Sequence, residues 1–212
     1  MVFGISNPAG SGIDTVNDTL NNTTTGPITV TYVANLSANG CSNTEYITVA
    51  VNPTPTLSTT TTPADICSGT PFVYVPASAT TGTTFSWSRG VITGISNPAA
   101  SGADTINETL INTTPNPVAV TYIDTLNING CINTETITVI VKPTPKLSSS
   151  LTPAAICDSA TFNYPPTSAT VGTTFDWTRD FVSGIAVVAG SGTNNPNEQL
   201  INTTYHNVNV TY

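Results

Sequence analysis

Apolar residues along this chain recur at every second position in short runs, the period of a strand with one buried face. From Val118 to Ile128, the residues Val118, Val120, Tyr122, Leu126 and Ile128 share a face. In Thr134–Val141 the inward set is Ile137, Val139 and Val141, and "NING" between these runs turns the chain. Phe72 and Tyr74 alternate within Pro71–Pro76, and Phe85 and Trp87 alternate with Ser86 and Ser88 within Thr84–Arg89. Thr56–Pro63 reads as a polar edge strand, and Gly94–Asn112 as one or two short strands broken by turn residues. No segment carries the i, i+3, i+4, i+7 spacing of a long helix. About seven strands result, an antiparallel β-sandwich with Phe85, Trp87, Val120, Tyr122 and Val139 in its core.

The pattern repeats. Gly4, Gly94 and Gly184 are 90 residues apart, as are Cys41 and Cys131, Cys67 and Cys157, and Trp87 and Trp177. Trp177 is therefore a core residue of a further copy. Ninety residues suit a whole small sandwich rather than a solenoid repeat. Pro-Thr-Pro occurs at Pro53 and at Pro143, each time after an alternating strand. Proline cannot donate to a sheet ladder and holds its neighbours extended, so each Pro-Thr-Pro is a short semi-rigid linker. The chain then divides into residues 1–52, the back part of one repeat; residues 53–142, a complete repeat; and residues 143–212, the front part of the next. Permuted repeats beginning near Met1 are the alternative, and place the linker inside a domain.

Composition narrows the function. Only 8% of the 212 residues are charged, and the net charge is −8. The four basic residues, Arg89, Lys142, Lys146 and Arg179, are too few and too scattered to bind phosphate backbones or anionic membranes. No apolar run reaches a membrane span. Met1-Val2-Phe3 leads straight into a repeat, so Met1 reads as the start of an excerpt, with any export signal outside it.

Candidate chemistry is sparse. His206 stands where the other copies have Gly26 and Asn116, and reads as a surface residue. Asp18, Glu108 and Glu198 share one repeat position, and Glu45 and Glu135 another. Asp14 with Asp18, or Asp104 with Glu108, offers two oxygen ligands, but Asn194 replaces the first in the third copy and no D-x-D-x-D loop exists. These carboxylates read as solvated loop residues capping turns. No G-x-S-x-G elbow, nucleotide loop or C-x-x-C occurs. Neither catalytic nor metal ligands are assigned, and no cofactor is expected. Arg89 and Arg179 follow the Trp residues on the same face, and are expected to cover the ring with the stem while the guanidinium reaches solvent. The four cysteines suit an extracellular staple. Cys67–Cys131 is the simple pairing. The alternative joins Cys67 to a cysteine of an adjoining repeat, because sandwich topology puts Cys67 and Cys131 near opposite poles.

The segments "ICSGTPFVY", "TTFSWSRG", "GISNPAASG", "INETLINTT" and "VTYIDTLNINGCINTETITVIVKPTP", with their copies, resemble the immunoglobulin-like superfamily. More narrowly, they resemble the PKD-like tandem domains of very large surface proteins from Bacteroidota. The resemblance covers the chain and implies tandem Ig-like sandwiches outside the cell, as the stalk, spacer or filament segment of an adhesin. It implies neighbouring copies head-to-tail as partners, with a surface glycan bound by end loops as the alternative function. Asp-Ser/Thr-apolar steps are similar to the O-glycosylation acceptor of the same bacteria and mark Thr15, Thr19, Thr105, Thr125 and Ser159.

Overall fold

The computed structural model describes residues 2–212. Met1, read above as the start of an excerpt, lies outside the described residues. No helix occurs among them; the chain is all-β. It divides into two compact units. One runs through Ile111 and takes in Val118–Val141; the other comprises Asn112–Pro117 and Lys142–Tyr212.

In the first unit, β1 (Ile28–Ala38) and β2 (Cys41–Val51) form an antiparallel hairpin in register from Ile28↔Val51 to Ala38↔Cys41. Asn39 and Gly40 close it with φ of 50° and 81°. Positive φ at both loop positions matches the right-handed twist of the strands, which is why Asn-Gly stands there. Among the described residues this hairpin pairs with no other strand.

The same unit holds a complete sandwich. Its strands are β3 (Ile66–Cys67), β4 (Pro71–Tyr74), β5 (Thr84–Arg89), β6 (Ala100–Ala103), β7 (Ile106–Thr109), β8 (Val118–Ile128) and β9 (Cys131–Lys142). One sheet has the order β3-β9-β8-β5-β6; the other is β4-β7. β8 and β9 pair from Val118↔Val141 to Ile128↔Cys131 around a second Asn-Gly turn, Asn129-Gly130. Alternation delivers Val120, Tyr122, Leu126, Ile137, Val139 and Val141 to the interior with no exposed surface. Across the core, Phe72 of β4 stacks on Tyr122 at 5.6 Å, and Trp87 of β5 meets Tyr122 edge-on at 5.7 Å. Trp87 is buried and Phe85 half-buried.

The expected edge strand Thr56–Pro63 does not form; only Leu57 bridges to Ser78. Its polar groups bond locally instead, as where Thr62 N donates to Thr60 Oγ1, and Pro63 has no N–H to give a ladder. The edge of the large sheet is the two-residue β3. The preceding segment runs alongside β9, with Asn133 Nδ2 donating to Pro55 O at 3.0 Å and Thr138 N to Thr61 O at 2.9 Å. Pro53 and Pro55 are fully buried.

Trp87 lies over Gly102, directly opposite it in the β5–β6 pair. A Cβ at position 102 would come within 2.9 Å of the indole ring. Gly102→Ala is therefore expected to cost about 1–3 kcal/mol, the usual penalty for overpacking. The measurement is loss of hydrogen-exchange protection at Val120 and Ile137 in the full chain. Unchanged protection would mean that the ring yields freely.

The second unit holds β10 (Thr161–Asn163), β11 (Asp176–Arg179), β12 (Gly190–Thr193) and β13 (Asn197–Gln199). They form two ribbons, β10-β13 and β11-β12. Trp177 lies over Gly192 as Trp87 lies over Gly102. Phe162, Tyr164, Phe175 and Trp177 are only half-buried here.

Candidate functional site

The most developed polar cluster of the complete sandwich is inside it. β5 carries Arg89 one turn of the pleat beyond Trp87, β7 carries Glu108, and β8 carries Tyr122. Arg89 donates from Nε to Glu108 Oε2 and from an Nη to Glu108 Oε1, both at 2.8 Å. This bidentate fork matches the planar guanidinium to the carboxylate. The remaining donors reach Pro98 O at 2.7 Å and Gly90 O at 3.0 Å. Tyr122 Oη donates to Glu108 Oε2 at 2.7 Å. The Arg89 side chain has no exposed surface and that of Glu108 keeps 13%.

The cluster recurs. Arg179 forks onto Glu198 at 2.8 and 3.1 Å and also donates to Val188 O and Asp180 O; Tyr212 Oη donates to Glu198 Oε2 at 2.7 Å. Tyr212 stacks on Phe162 at 4.9 Å and meets Trp177 edge-on at 5.6 Å. In residues 1–52, Tyr32 Oη donates to Asp18 at 3.0 Å.

These contacts correct two expectations. Arg89 and Arg179 do not send their guanidiniums to solvent; they are 2% and 1% exposed. Glu108 and Glu198 are ion-paired strand residues, not solvated turn caps. The signal was in the sequence: Arg, Glu and Tyr recur at one fixed spacing in a chain with four basic residues. The hydrogen bond from Arg89 holds the Glu108 carboxyl below the ordinary range, and that from Glu108 holds the Arg89 guanidinium above its own. Burial first, then Glu108, raises the Tyr122 phenol. Every member is locked in one protonation state near neutrality, the opposite of what acid–base catalysis uses.

Asp124 is the exception. It sits on the inner face of β8, 1% exposed, with neither carboxylate oxygen hydrogen-bonded among the described residues. Its cross-strand neighbours are Trp87 and Glu135. Burial raises its carboxyl to about 6. Its counterpart in residues 1–52 is Ala34. Glu135 accepts from Asn133 Nδ2 at 3.1 Å. Among the described residues no group of three or more His, Cys, Asp or Glu is placed to hold a metal.

All four cysteines are free, so the Cys67–Cys131 bridge is not formed. Asn133 lies beside Pro55 and Thr138 beside Thr61, so the segment advances with β9 and brings Cys67 toward the strand's far end. Cys131 opens β9. At about 3.3 Å per residue, most of a 12-residue strand separates the two thiols, far beyond bonding reach. Among the Asp-Ser/Thr steps, Thr15, Thr19, Thr105 and Ser159 are exposed. Thr125 is half-buried, mid-strand in β8 between buried Asp124 and Leu126. His206 is exposed.

The complete repeat is an antiparallel β-sandwich closed around an aromatic cluster. Residues 64–145 match the PKD-like domain family. The match begins 11 residues after Pro53 and ends on the second Pro-Thr-Pro. No curated protein matches the chain. PKD-like domains are typically extracellular and generally non-catalytic. No helix of the described residues is long and apolar enough to cross a membrane.

Proposed function

We propose that this chain is a non-catalytic structural segment of a bacterial surface protein, a stalk, spacer or filament built from tandem PKD-like sandwiches, in an organism of the Bacteroidota. The carrying observation is where the recurrence lies. The Arg–Glu–Tyr fastening and the Trp-on-Gly contact recur at equivalent positions inside the protein. Exposed aromatics outside that fastening do not: Phe3, Tyr46, Phe181 and Tyr205 align with Thr93, Thr136, Val91 and Pro115. What recurs holds a fold together, and nothing that recurs at the surface would stack on a sugar. This favours the structural reading over the glycan-binding one.

The mechanism is mechanical. The complete repeat and the one after it are fastened internally, and Pro53 and Pro55, both buried, hold the chain extended ahead of the complete repeat, whereas Pro143 is half-buried and Pro145 exposed. Force spectroscopy on the chain held between two handles tests this. The complete repeat is expected to unfold in one event releasing about 30 nm, from roughly 3.6 Å per residue. Gradual extension without a peak, or saturable glycan binding lost with Tyr46 or Tyr205, would defeat the reading.

An extracellular setting also makes the exposed Asp-Thr and Asp-Ser steps available to a glycosylation system. Mass spectrometry of protein from its native host is expected to find sugar on Thr15 or Thr105 and none on Thr125. Sugar on half-buried Thr125 and on none of the exposed steps would defeat this expectation.

A further inference from the structure

We propose that the Asn-Gly turns of this chain are sites of spontaneous covalent modification, the asparagine losing its amide through a cyclic imide, and that Asn127 holds the reaction back in the complete repeat. The sequence has two Asn-Gly pairs, Asn39-Gly40 and Asn129-Gly130, and each forms the two-residue tip of a long hairpin. All four residues are exposed. A Cβ built on Gly40 or Gly130 would meet nothing within 4 Å beyond its chain neighbours, so the main-chain nitrogen beside it is unshielded. Each tip follows the last pair of its ladder, where local opening costs least.

The reaction is intramolecular and needs only water. Gly130 N, on losing its proton to solvent, attacks Asn129 Cγ. A C–N bond forms, Nδ2 leaves as ammonia, and a cyclic imide remains. Water then opens the ring. Breaking the new bond gives aspartate; breaking the original peptide bond gives isoaspartate, in which the main chain runs through the side chain. Either product replaces a neutral amide with a carboxylate. Isoaspartate also inserts a methylene into a tip that Asn129 and Gly130 close with φ of 48° and 85°. Hairpin register depends on loop length, so the closing pair Ile128↔Cys131 is the first to suffer.

The attacking atom is engaged in the complete repeat. Gly130 N donates to Asn127 Oδ1 at 3.1 Å, a bond that holds the proton the reaction must remove. Asn127 is itself fixed by the sheet. It is half-buried, lies opposite Thr84 of β5, and accepts at its carbonyl from Thr84 Oγ1 at 3.1 Å. In the first hairpin Ser37 takes its place, and the serine hydroxyl ends one atom short of an asparagine amide oxygen. Asn39 is therefore the faster site and Asn129 the guarded one. The inference rests on turn chemistry alone and holds whichever function the chain serves.

The test is mass spectrometry of peptides from the full chain after incubation in mildly alkaline, reducing buffer, scoring aspartate and isoaspartate at every asparagine. Conversion is expected first at Asn39, then at Asn129, and later elsewhere. Asn127→Ser is expected to raise the rate at Asn129 about two- to tenfold, the range one hydrogen bond commands. Asn127→Asp keeps an acceptor at the same reach and is expected to leave the rate near the parent's. Folded turns that stay intact while the denatured chain converts overturn the proposal. So does a rate at Asn129 that Asn127→Ser leaves unchanged. A rate that Asn127→Asp raises as far as serine does overturns it too, since a loosened strand and not the lost bond would be the cause. Loss of hydrogen-exchange protection at Val120 in the serine variant would show a folding defect. Ser37→Asn, expected to slow Asn39 by the same factor, then replaces it, and an unchanged rate at Asn39 overturns the proposal.

Discussion

Glu108→Ala is expected to destabilise the complete repeat by about 3–5 kcal/mol, because it leaves the Arg89 guanidinium buried without its counter-charge. Arg89 has no exposed side-chain surface from which to recover hydration. Its carbonyl contacts to Pro98 and Gly90 survive but carry no compensating charge. Tyr122 loses its acceptor at the same time. Glu108→Gln keeps the shape and an acceptor but not the charge, and should fall between. The sign with pH follows from the direction of the shift. Glu108 is held below its ordinary value, so its contribution is complete above the unfolded carboxylate value of about 4.5. It is lost as pH falls through the lower, folded value. Hydrogen exchange at Val120, Tyr122 and Ile137 in the full chain reports local opening of this repeat. A loss under about 1 kcal/mol would mean that the pair merely fills space, as some ion pairs do.

The strands of this repeat were legible wherever side-chain period and turn chemistry agreed. β8 and β9 combine strict alternation of branched and aromatic residues with an Asn-Gly pair, and both turn residues take the positive φ that the pair suggests. β5 was legible because Phe85 and Trp87 alternate with serines. Thr56–Pro63 was misread because alternating threonines satisfy strand propensity without providing a buried face, and propensity alone does not fix a strand. The ion pair was missed for another reason. Arg89 and Glu108 are 19 residues apart and lie in opposite sheets, so no local period joins them. Only comparison between copies carries that signal: Arg179, Glu198 and Tyr212 repeat the trio at the same separations. The register of β9 likewise decides against Cys67–Cys131, and two-residue β3 offered no pattern from which to read it.

Asp124→Asn is expected to have the opposite effect, raising the stability of the complete repeat at pH 7 by up to about 3 kcal/mol. The figure is the shift from 3.8 to about 6 converted at about 1.4 kcal/mol per pH unit. Asp124 is 1% exposed and its carboxylate oxygens have no hydrogen-bond partner among the described residues. The groups around it do not reach it: Trp87 is opposite on β5 with its own Nε1 unbonded among the described residues, and Glu135, already on Asn133, is opposite on β9. Tyr74 feels the charge of both carboxylates but spends its hydroxyl on Thr59 and Thr60. An ionised Asp124 is thus stabilised better in the unfolded chain than in the folded one. Below pH 3.8 the group is protonated in both states and costs nothing in charge. As pH rises through 3.8 toward 6 the unfolded chain ionises first, and stability falls until the folded group ionises too. The amide cannot ionise, so the variant should lose this descending limb and match the parent at acid pH. Asp124→Ala reproduces what the first copy has at Ala34 and tests the same point without a buried polar group. Together with Glu108, which weakens the fold on acidification below about 4.5, the parent repeat should be most stable near pH 4, where the two opposing slopes meet. A flat profile between pH 4 and 7, or an Asp124→Asn repeat less stable than the parent at pH 7, would show that the carboxylate finds a partner when the domain opens to water.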